Sequence, residues 1–123
     1  MNLTGLNDQQ KQTLLDLLVI GMYADGKLAD AEDAKIQGVL RTIQFSSDSA
    51  RDQFLDASIT RARRHLDSPT ARRDFVADIA AHFPTQELRQ KAFDDLEELL
   101  ASDNQVVEPE TRLLAVVKEE FKL

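Results

Sequence analysis

Apolar side chains recur every three or four residues along almost the whole chain, and no other feature of the sequence constrains the fold as strongly. This is the spacing of one face of an α-helix, whereas a half-buried β-strand requires alternating apolar and polar residues. Runs of β-branched or aromatic residues bounded by turn residues, which are typical of strands, are lacking. The pattern therefore predicts an all-α fold, a single-domain helical bundle of about six to seven helices.

Six helices can be delimited from capping residues and prolines. Proline disfavours helical geometry in the residue before it, so the fourth helix should end near Phe83. The predicted segments are Asp8 to Ala24, Asp30 to Ile43, a third helix after the caps Ser47, Asp48 and Ser49, a fourth from Ser68 and Pro69, a fifth from Thr85, and a sixth after a break at Asp103 to Val107.

Each helix has a predicted apolar stripe that should face the core. The first helix is apolar nearly all round, which favours a central position, and Gly21 would let another helix approach it closely. Gly38 should cost about 1 kcal/mol unless something packs against it. The other stripes are Ile36, Val39, Leu40 and Ile43; Leu55, Ile59, Ala62 and Leu66; Phe75, Val76, Ile79 and Ala80; Leu88, Ala92, Leu96, Leu99 and Leu100; and Leu113, Leu114, Val117 and Phe121.

Length and composition exclude several classes of protein. A chain of 123 residues predicts one domain, and the absence of cysteine excludes disulfides, zinc-thiolate sites and cysteine nucleophiles. The longest apolar run, Leu17 to Ala24, is far shorter than the roughly 20 residues of a membrane-spanning helix. No basic residue precedes Lys11, so a secretory signal is missing, and we expect a cytoplasmic location.

The first two predicted helices match the last two when the sequence is shifted by 78 residues. Each of these helix-loop-helix units carries an acidic loop. The matched positions include Leu18 and Leu96, Met22 and Leu100, Asp25 and Asp103, Leu28 and Val106, Asp30 and Glu108, Glu32 and Glu110, Ile36 and Leu114, Val39 and Val117, and Ile43 and Phe121. The carboxylates are the stronger evidence for a repeat, because helix packing does not require them.

The acidic loops allow two interpretations. In the first, the carboxylates cap or complement helix termini. In the second, Asp25, Glu32, Asp103 and Glu110 supply oxygen ligands to a divalent cation such as calcium, magnesium or manganese. An EF-hand is excluded, because a twelve-residue loop starting at Asp25 would place Ile36 at the closing bidentate position.

The two loops also carry a family resemblance. The segment 24–32, Ala-Asp-Gly-Lys-Leu-Ala-Asp-Ala-Glu, and its echo at 102–110 resemble the paired acidic loops of the TerB-like family of tellurite-resistance proteins. The resemblance covers nearly the whole chain in length and helix order. It implies an all-helical single domain, a metal-binding site at the acidic loops, and a role in stress responses through protein complexes.

Charge is unevenly distributed along the chain. Residues 94–110 contain seven carboxylates and no basic residue, whereas residues 51–73 contain six arginines against three aspartates. Each could be a solvated surface or a docking surface for a protein of opposite charge. The net charge of −7 and the absence of tryptophan and of a recognition motif disfavour nucleic-acid binding.

Catalytic constellations are scarce. His65 and His82 lie on different predicted helices without metal-ligand spacing, and each is near a helix C-terminus, where an imidazole suits the helix dipole. There is no phosphate-binding loop and no nucleophile elbow. An acid–base hydrolase using the paired carboxylates is disfavoured because no apolar substrate pocket can be inferred.

We therefore predict a non-enzymatic TerB-like domain that binds a divalent cation and acts as an interaction module in a cytoplasmic, tellurite-resistance-like stress-response assembly. The alternative is a metal-free protein–protein adaptor that uses its acidic and arginine-rich faces. The sequence gives neither the partner nor the oligomeric state.

Overall fold

The computed structural model describes residues 5–23, 30–66, 68–101 and 108–123, and within helices the side chains of residues 30–32 and 66 lie outside this description. These ranges contain six α-helices and no strand, which confirms the all-α prediction. The helices are α1 (Asp8–Met22), α2 (Asp30–Thr42), α3 (Asp48–Leu66), α4 (Pro69–Ala81), α5 (Gln86–Leu100) and α6 (Glu108–Glu120).

The predicted helix starts are confirmed by capping hydrogen bonds. The Ser68 hydroxyl accepts from the Ala71 amide at 3.3 Å, and the Thr85 hydroxyl accepts from the Leu88 amide at 3.2 Å. The Ser47 hydroxyl does the same for Ala50 at the start of α3. These bonds satisfy amide groups that the first helical turn leaves without carbonyl partners.

Helix α1 lies at the centre of the bundle, as its sequence predicts. Residues Leu14, Leu15, Leu17, Leu18, Val19 and Ile20 are fully buried. It packs against α2, α3, α4 and α5, while α6 packs on α4 and α5. Because its neighbours cover it on all sides, α1 needs no polar face apart from its first turns and Asp16.

Two predicted stripes are confirmed in part. Leu114, Leu55 and Ile59 are half-buried and pack against the core. The other predicted residues Leu113, Val117, Phe121 and Ala62 are buried, and Glu110 and Ser58 are buried beside them. Adjacent helical residues point about 100° apart, so a small rotation of the helix exchanges Leu113 for Leu114 at the core.

A partly buried polar contact joins α1 to α3. The Asp16 carboxylate accepts hydrogen bonds from the Ser58 hydroxyl at 2.5 Å and from an Arg61 guanidinium nitrogen at 2.8 Å. Ser58 is almost completely buried. A buried hydroxyl requires a hydrogen-bond partner, so this contact accounts for a polar residue on the inner face of α3.

Arg89 joins α5 to the end of α4. Its guanidinium donates to the carbonyl oxygens of Phe83 at 2.8 Å and Ala80 at 3.3 Å. The last carbonyls of a helix lack helical partners, and a cation there also complements the helix dipole. The side chain therefore holds the turn that contains Pro84.

The two helical glycines have opposite surroundings. A Cβ atom added at Gly21 would lie 2.6 Å from Leu96 Cδ1, because α5 packs directly on this part of α1. At Gly38 the same atom would meet no described atom within 4 Å. Only Gly21 is therefore required by packing.

We predict opposite effects for alanine at these two positions. Gly38→Ala should stabilise the protein by about 0.5–1 kcal/mol, the gain in helix propensity. Gly21→Ala gains the same propensity but crowds the fully buried Leu96, for a net loss of up to about 2 kcal/mol. Urea unfolding of the two variants measures both changes. Equal stabilisation by both substitutions would contradict the close approach of α5 at Gly21.

Candidate functional site

Only one of the four predicted metal ligands has a described side chain. Asp25 and Asp103 lie outside the described residues, and Glu32 belongs to α2 but its side chain is outside the description. Glu110 lies in the first turn of α6 and is 2% exposed. It has an interaction partner within the chain.

The helix ends that flank the two acidic segments lie side by side. A Cβ atom at Gly21, near the end of α1, would be 3.5 Å from Leu100 at the end of α5 and 3.8 Å from Leu113 of α6. The described ends of α1 and α5 therefore lie at the same end of the bundle, beside α6. Glu110 lies three residues before Leu113, within one helical turn of this junction.

No group of three or more acidic or histidine residues among those described is arranged to hold a metal ion. The described residues thus contribute Glu110 alone to the predicted site. Its neighbour Glu108 is exposed and pairs with Arg112 one turn later on α6. Glu108 also lies in the first turn of α6, where a negative charge complements the helix dipole.

The carboxylates of α5 do not form one solvated face. Asp95 is 6% exposed and lies 3.2 Å from the ammonium group of Lys91. Glu98 accepts a 2.8 Å hydrogen bond from Lys35 of α2. The Lys91–Asp95 pair could have been read from its four-residue spacing, whereas Lys35–Glu98 depends on how α2 packs on α5.

Asp95 and Glu98 have pKa values shifted in opposite directions. Burial raises the pKa of the Asp95 carboxyl, and this desolvation outweighs the attraction of Lys91. The hydrogen bond from Lys35 lowers the pKa of the Glu98 carboxyl. The charged form of Asp95 is therefore destabilised in the folded protein, whereas the charged form of Glu98 is stabilised.

The arginines of segment 51–73 mostly contact the protein itself. Arg61 pairs with Asp16 at 2.8 Å, and Arg73 pairs with Glu119 and Glu120 at 3.0 Å, which raises the pKa of the Arg73 guanidinium. Arg51 lies 3.7–3.8 Å from two nearby aspartates, and Arg72 also has a partner. The expected arginine-rich face is therefore reduced to Arg63 and Arg64, both exposed at the end of α3.

Arg63 and Arg64 differ in their contacts. The Arg63 guanidinium carbon lies 5.2 Å from the centroid of the Tyr23 ring, a cation–π geometry that holds this side chain near the end of α1. Arg64 has no ion pair or ring contact within the part of the chain that the structure describes. Arg64 is thus the member of this cluster whose charge is most available to a partner.

Both histidines make the same local contact. The Nδ1 atom of His65 donates to the Arg61 carbonyl at 2.6 Å, and that of His82 donates to the Asp78 carbonyl at 3.0 Å. The His65 ring also stacks on Phe75, with centroids 4.5 Å apart. These bonds satisfy carbonyls near helix C-termini, in agreement with the predicted placement of the two imidazoles.

A pocket of about 250 Å³ lies between the end of α2 and the start of α3. Its floor is formed by Leu40, Ile43 and Phe45, and Arg41, Ser47, Asp48 and Arg51 form its rim. Sequence patterns did not reveal this pocket, because its residues come from two helices and the turn between them. A smaller pocket, of about 170 Å³, lies beside Pro69 and Arg73.

Comparisons with protein families, curated proteins and solved structures give no match to this chain. Among the described helices, none is both long enough and apolar enough to cross a membrane. Functional inference therefore depends on the residues themselves.

We predict opposite pH signatures for Asp95 and Glu98. A raised pKa means that the folded protein binds the Asp95 proton more tightly than the unfolded chain does. The ionised Asp95 carboxylate therefore lowers the free energy of unfolding at neutral pH. This loss disappears as the pH falls and the carboxyl is protonated. Asp95→Asn should equal or exceed the wild type in stability at pH 7 and lose this advantage toward pH 4. Glu98→Gln should be less stable than the wild type at pH 7, and the deficit should shrink as the pH falls below about 4. Urea unfolding between pH 3 and pH 7 measures both differences; parallel pH curves for the two variants would contradict the assigned shifts.

Proposed function

We propose that this protein is a non-enzymatic, TerB-like domain that binds a divalent cation at one end of its helical bundle. The observation that supports this most directly is the meeting of the ends of α1 and α5 beside the first turns of α6, where Glu110 is buried. This arrangement brings the attachment points of both acidic segments to one end of the molecule.

The chemistry of the proposed ligands suits a hard cation. Asp25, Glu32, Asp103 and Glu110 offer only carboxylate oxygens, which calcium, magnesium and manganese prefer. When bound, the cation would neutralise charges that otherwise repel one another. Glu110 would hold its ligand position rigidly, because its helix is packed on α4 and α5.

The proposed repeat of two helix-loop-helix units is supported by burial. Leu18 and Leu96 are both fully buried, and the matched pair Met22 and Leu100 is also buried. The core also contains the matched pairs Val39 and Val117, and Ile43 and Phe121. Ile36 and Leu114 differ, since only Ile36 is fully buried. Similar units would place two similar acidic segments in related positions.

Several polar side chains are used in holding the fold together. Each histidine donates its Nδ1–H to a backbone carbonyl, and the buried Ser58 hydroxyl donates to the Asp16 carboxylate. We propose that the domain acts as an interaction module in a cytoplasmic stress-response assembly of the tellurite-resistance type. Its partners would be other proteins.

Cation binding should be visible as stabilisation. At 100 times its dissociation constant, calcium, magnesium or manganese should raise the free energy of unfolding by about 2.7 kcal/mol. Asp25→Asn and Glu110→Gln should abolish this increase, whereas the control Glu97→Gln, which removes one exposed charge from α5, should keep it. Isothermal calorimetry and thermal unfolding, with and without each cation, measure binding and stabilisation. No heat and no thermal shift at millimolar concentrations of all three cations would exclude the proposal.

The same variants distinguish cation binding from helix capping. If Asp25 is a ligand, Asp25→Asn should cost the cation-free protein little, or stabilise it by relieving repulsion between carboxylates. If Asp25 caps backbone amides, the substitution should destabilise the protein by about 0.5–2 kcal/mol, with no cation effect to lose. The sign of the change in cation-free stability separates the two.

The second candidate is a metal-free adaptor that binds acidic proteins, favoured by the exposed charge of Arg64, which forms no ion pair with any described residue, beside Arg63. These arginines lie at the end of α3, and neither is used by the ion pairs that hold the bundle together. An acidic segment of a partner could replace solvent around them without breaking a contact of the fold, apart from the Arg63–Tyr23 contact.

Reversing these two charges tests the adaptor. The double variant Arg63→Glu/Arg64→Glu should lose no more than about 1 kcal/mol, because exposed charges and exposed cation–π contacts contribute little. It should also lose salt-sensitive binding to a glutamate-rich peptide, measured by fluorescence anisotropy, while Lys118→Glu/Lys122→Glu keeps it. Equal binding by both double variants would refute the adaptor, and strong salt-sensitive binding of the wild type to duplex DNA would contradict a protein partner.

A further inference from the structure

The pocket between α2 and α3 combines an apolar floor with two guanidinium groups. Leu40 and Ile43 are buried and Phe45 is half-buried, so the apolar surface that a ligand would meet is limited and comes mainly from Phe45. Arg41 and Arg51 stand at the rim, contributed by the last turn of α2 and the first turn of α3. The floor and rim therefore present different chemistry to opposite ends of a ligand.

The charges at the rim are weakly compensated. Arg41 is exposed and forms no ion pair with any residue that the structure describes. Arg51 lies 3.8 Å from Asp48 and 3.7 Å from Asp52, both too far for a hydrogen bond. By contrast, Arg61 lies 2.8 Å from the carboxylate of Asp16, and Arg73 lies 3.0 Å from that of Glu120.

The pocket volume limits the size of an occupant. At about 250 Å³ it is smaller than typical small-molecule sites of roughly 300–1,000 Å³. One apolar side chain with an attached polar group would fill it. Guanidinium groups bind carboxylates through two parallel hydrogen bonds, and such charge-assisted bonds are among the stronger ones in proteins.

We propose that this pocket binds a carboxylate carried on a short apolar group, with the apolar group on Phe45 and the carboxylate between Arg41 and Arg51. Such a group occurs at the C-terminus of a peptide that ends in a leucine-like residue, and also in small branched carboxylic acids. Asp48 is the opposing charge at the rim, and it competes with the ligand for Arg51. This inference is independent of the cation site, which involves none of the same residues.

Three probes identify the ligand chemistry. They are acetyl-Gly-Ser-Leu with a free carboxylate, the same peptide with a C-terminal amide, and 4-methylpentanoate. Titrations followed by the backbone amide signals of Arg41, Ile43 and Ser47 in NMR spectra measure the affinities. The free peptide should bind at least about tenfold more tightly than its amide, since the amide lacks the charge that the arginines recognise. Tighter binding of the peptide than of 4-methylpentanoate would indicate a peptide terminus, and the reverse would indicate a small acid.

Variants at the rim test the role of each charge. Arg41→Ala and Arg51→Ala should each weaken binding of the free peptide by about tenfold or more. Asp48→Asn should strengthen it, because it removes one of the two carboxylates near Arg51 and the one that lines the pocket. Lys118→Ala removes an exposed cation on α6, outside the pocket, and should change nothing. Circular dichroism of each variant verifies folding, and a double variant Leu40→Met/Ile43→Val tests the floor with little loss of volume.

The proposal fails if the acid and amide peptides bind equally, if the arginine variants bind as the wild type does, or if no probe perturbs these signals at millimolar concentration. It also fails if Asp48→Asn weakens binding while the protein remains folded, because the carboxylate of Asp48 would then be part of the site and not a competitor.

Discussion

The burial of α1 on all sides is the constraint on which the rest of this structure depends. A helix that is apolar around its whole circumference must be covered by other helices, and here α2, α3, α4 and α5 cover it. The close approach of α5 at Gly21 brings Leu96 and Leu100 against α1 and places α6 beside both. Hydrophobic burial drives this assembly, but it is non-directional and does not by itself choose one rotation for each surrounding helix.

Polar contacts help to determine the rotation of the helices around α1, which hydrophobic burial alone does not. The bonds from Ser58 and Arg61 to Asp16 are satisfied only when α3 presents one face to α1. Arg89 similarly requires the turn after α4 to lie against α5, and Lys35 links α2 to Glu98. The buried Ser58 hydroxyl without its partner would cost about 1–3 kcal/mol, so other rotations of α3 are disfavoured, whereas the exposed Lys35–Glu98 pair contributes little.

The distribution of charge explains which surfaces are available for binding. Three of the six arginines of segment 51–73, namely Arg51, Arg61 and Arg73, pair with aspartates or glutamates of the same molecule, and two carboxylates of α5 pair with lysines. Arg41 at the pocket and Arg64 at the end of α3 form no ion pair with any described residue. Arg64 follows Arg63, which contacts Tyr23 at the end of α1, whereas Arg41 lies at the end of α2, so the two arginines belong to different surfaces.

The sequence by itself determined the helical class, the starts of all six helices to within about two residues, and the central position of α1. These depend on local signals, namely capping residues, prolines and the spacing of apolar side chains. The sequence also predicted Glu110 as a metal ligand of the second acidic loop, but it did not predict that Glu110 is buried. Only the tertiary structure decided that Leu113 and not Leu114 faces the core, that Arg61 and Arg73 are paired, and that Arg41 and Arg51 share a pocket. Those outcomes depend on the rotation and crossing angle of packed helices. Contacts between residues distant in the sequence determine these angles, and a periodic local pattern does not.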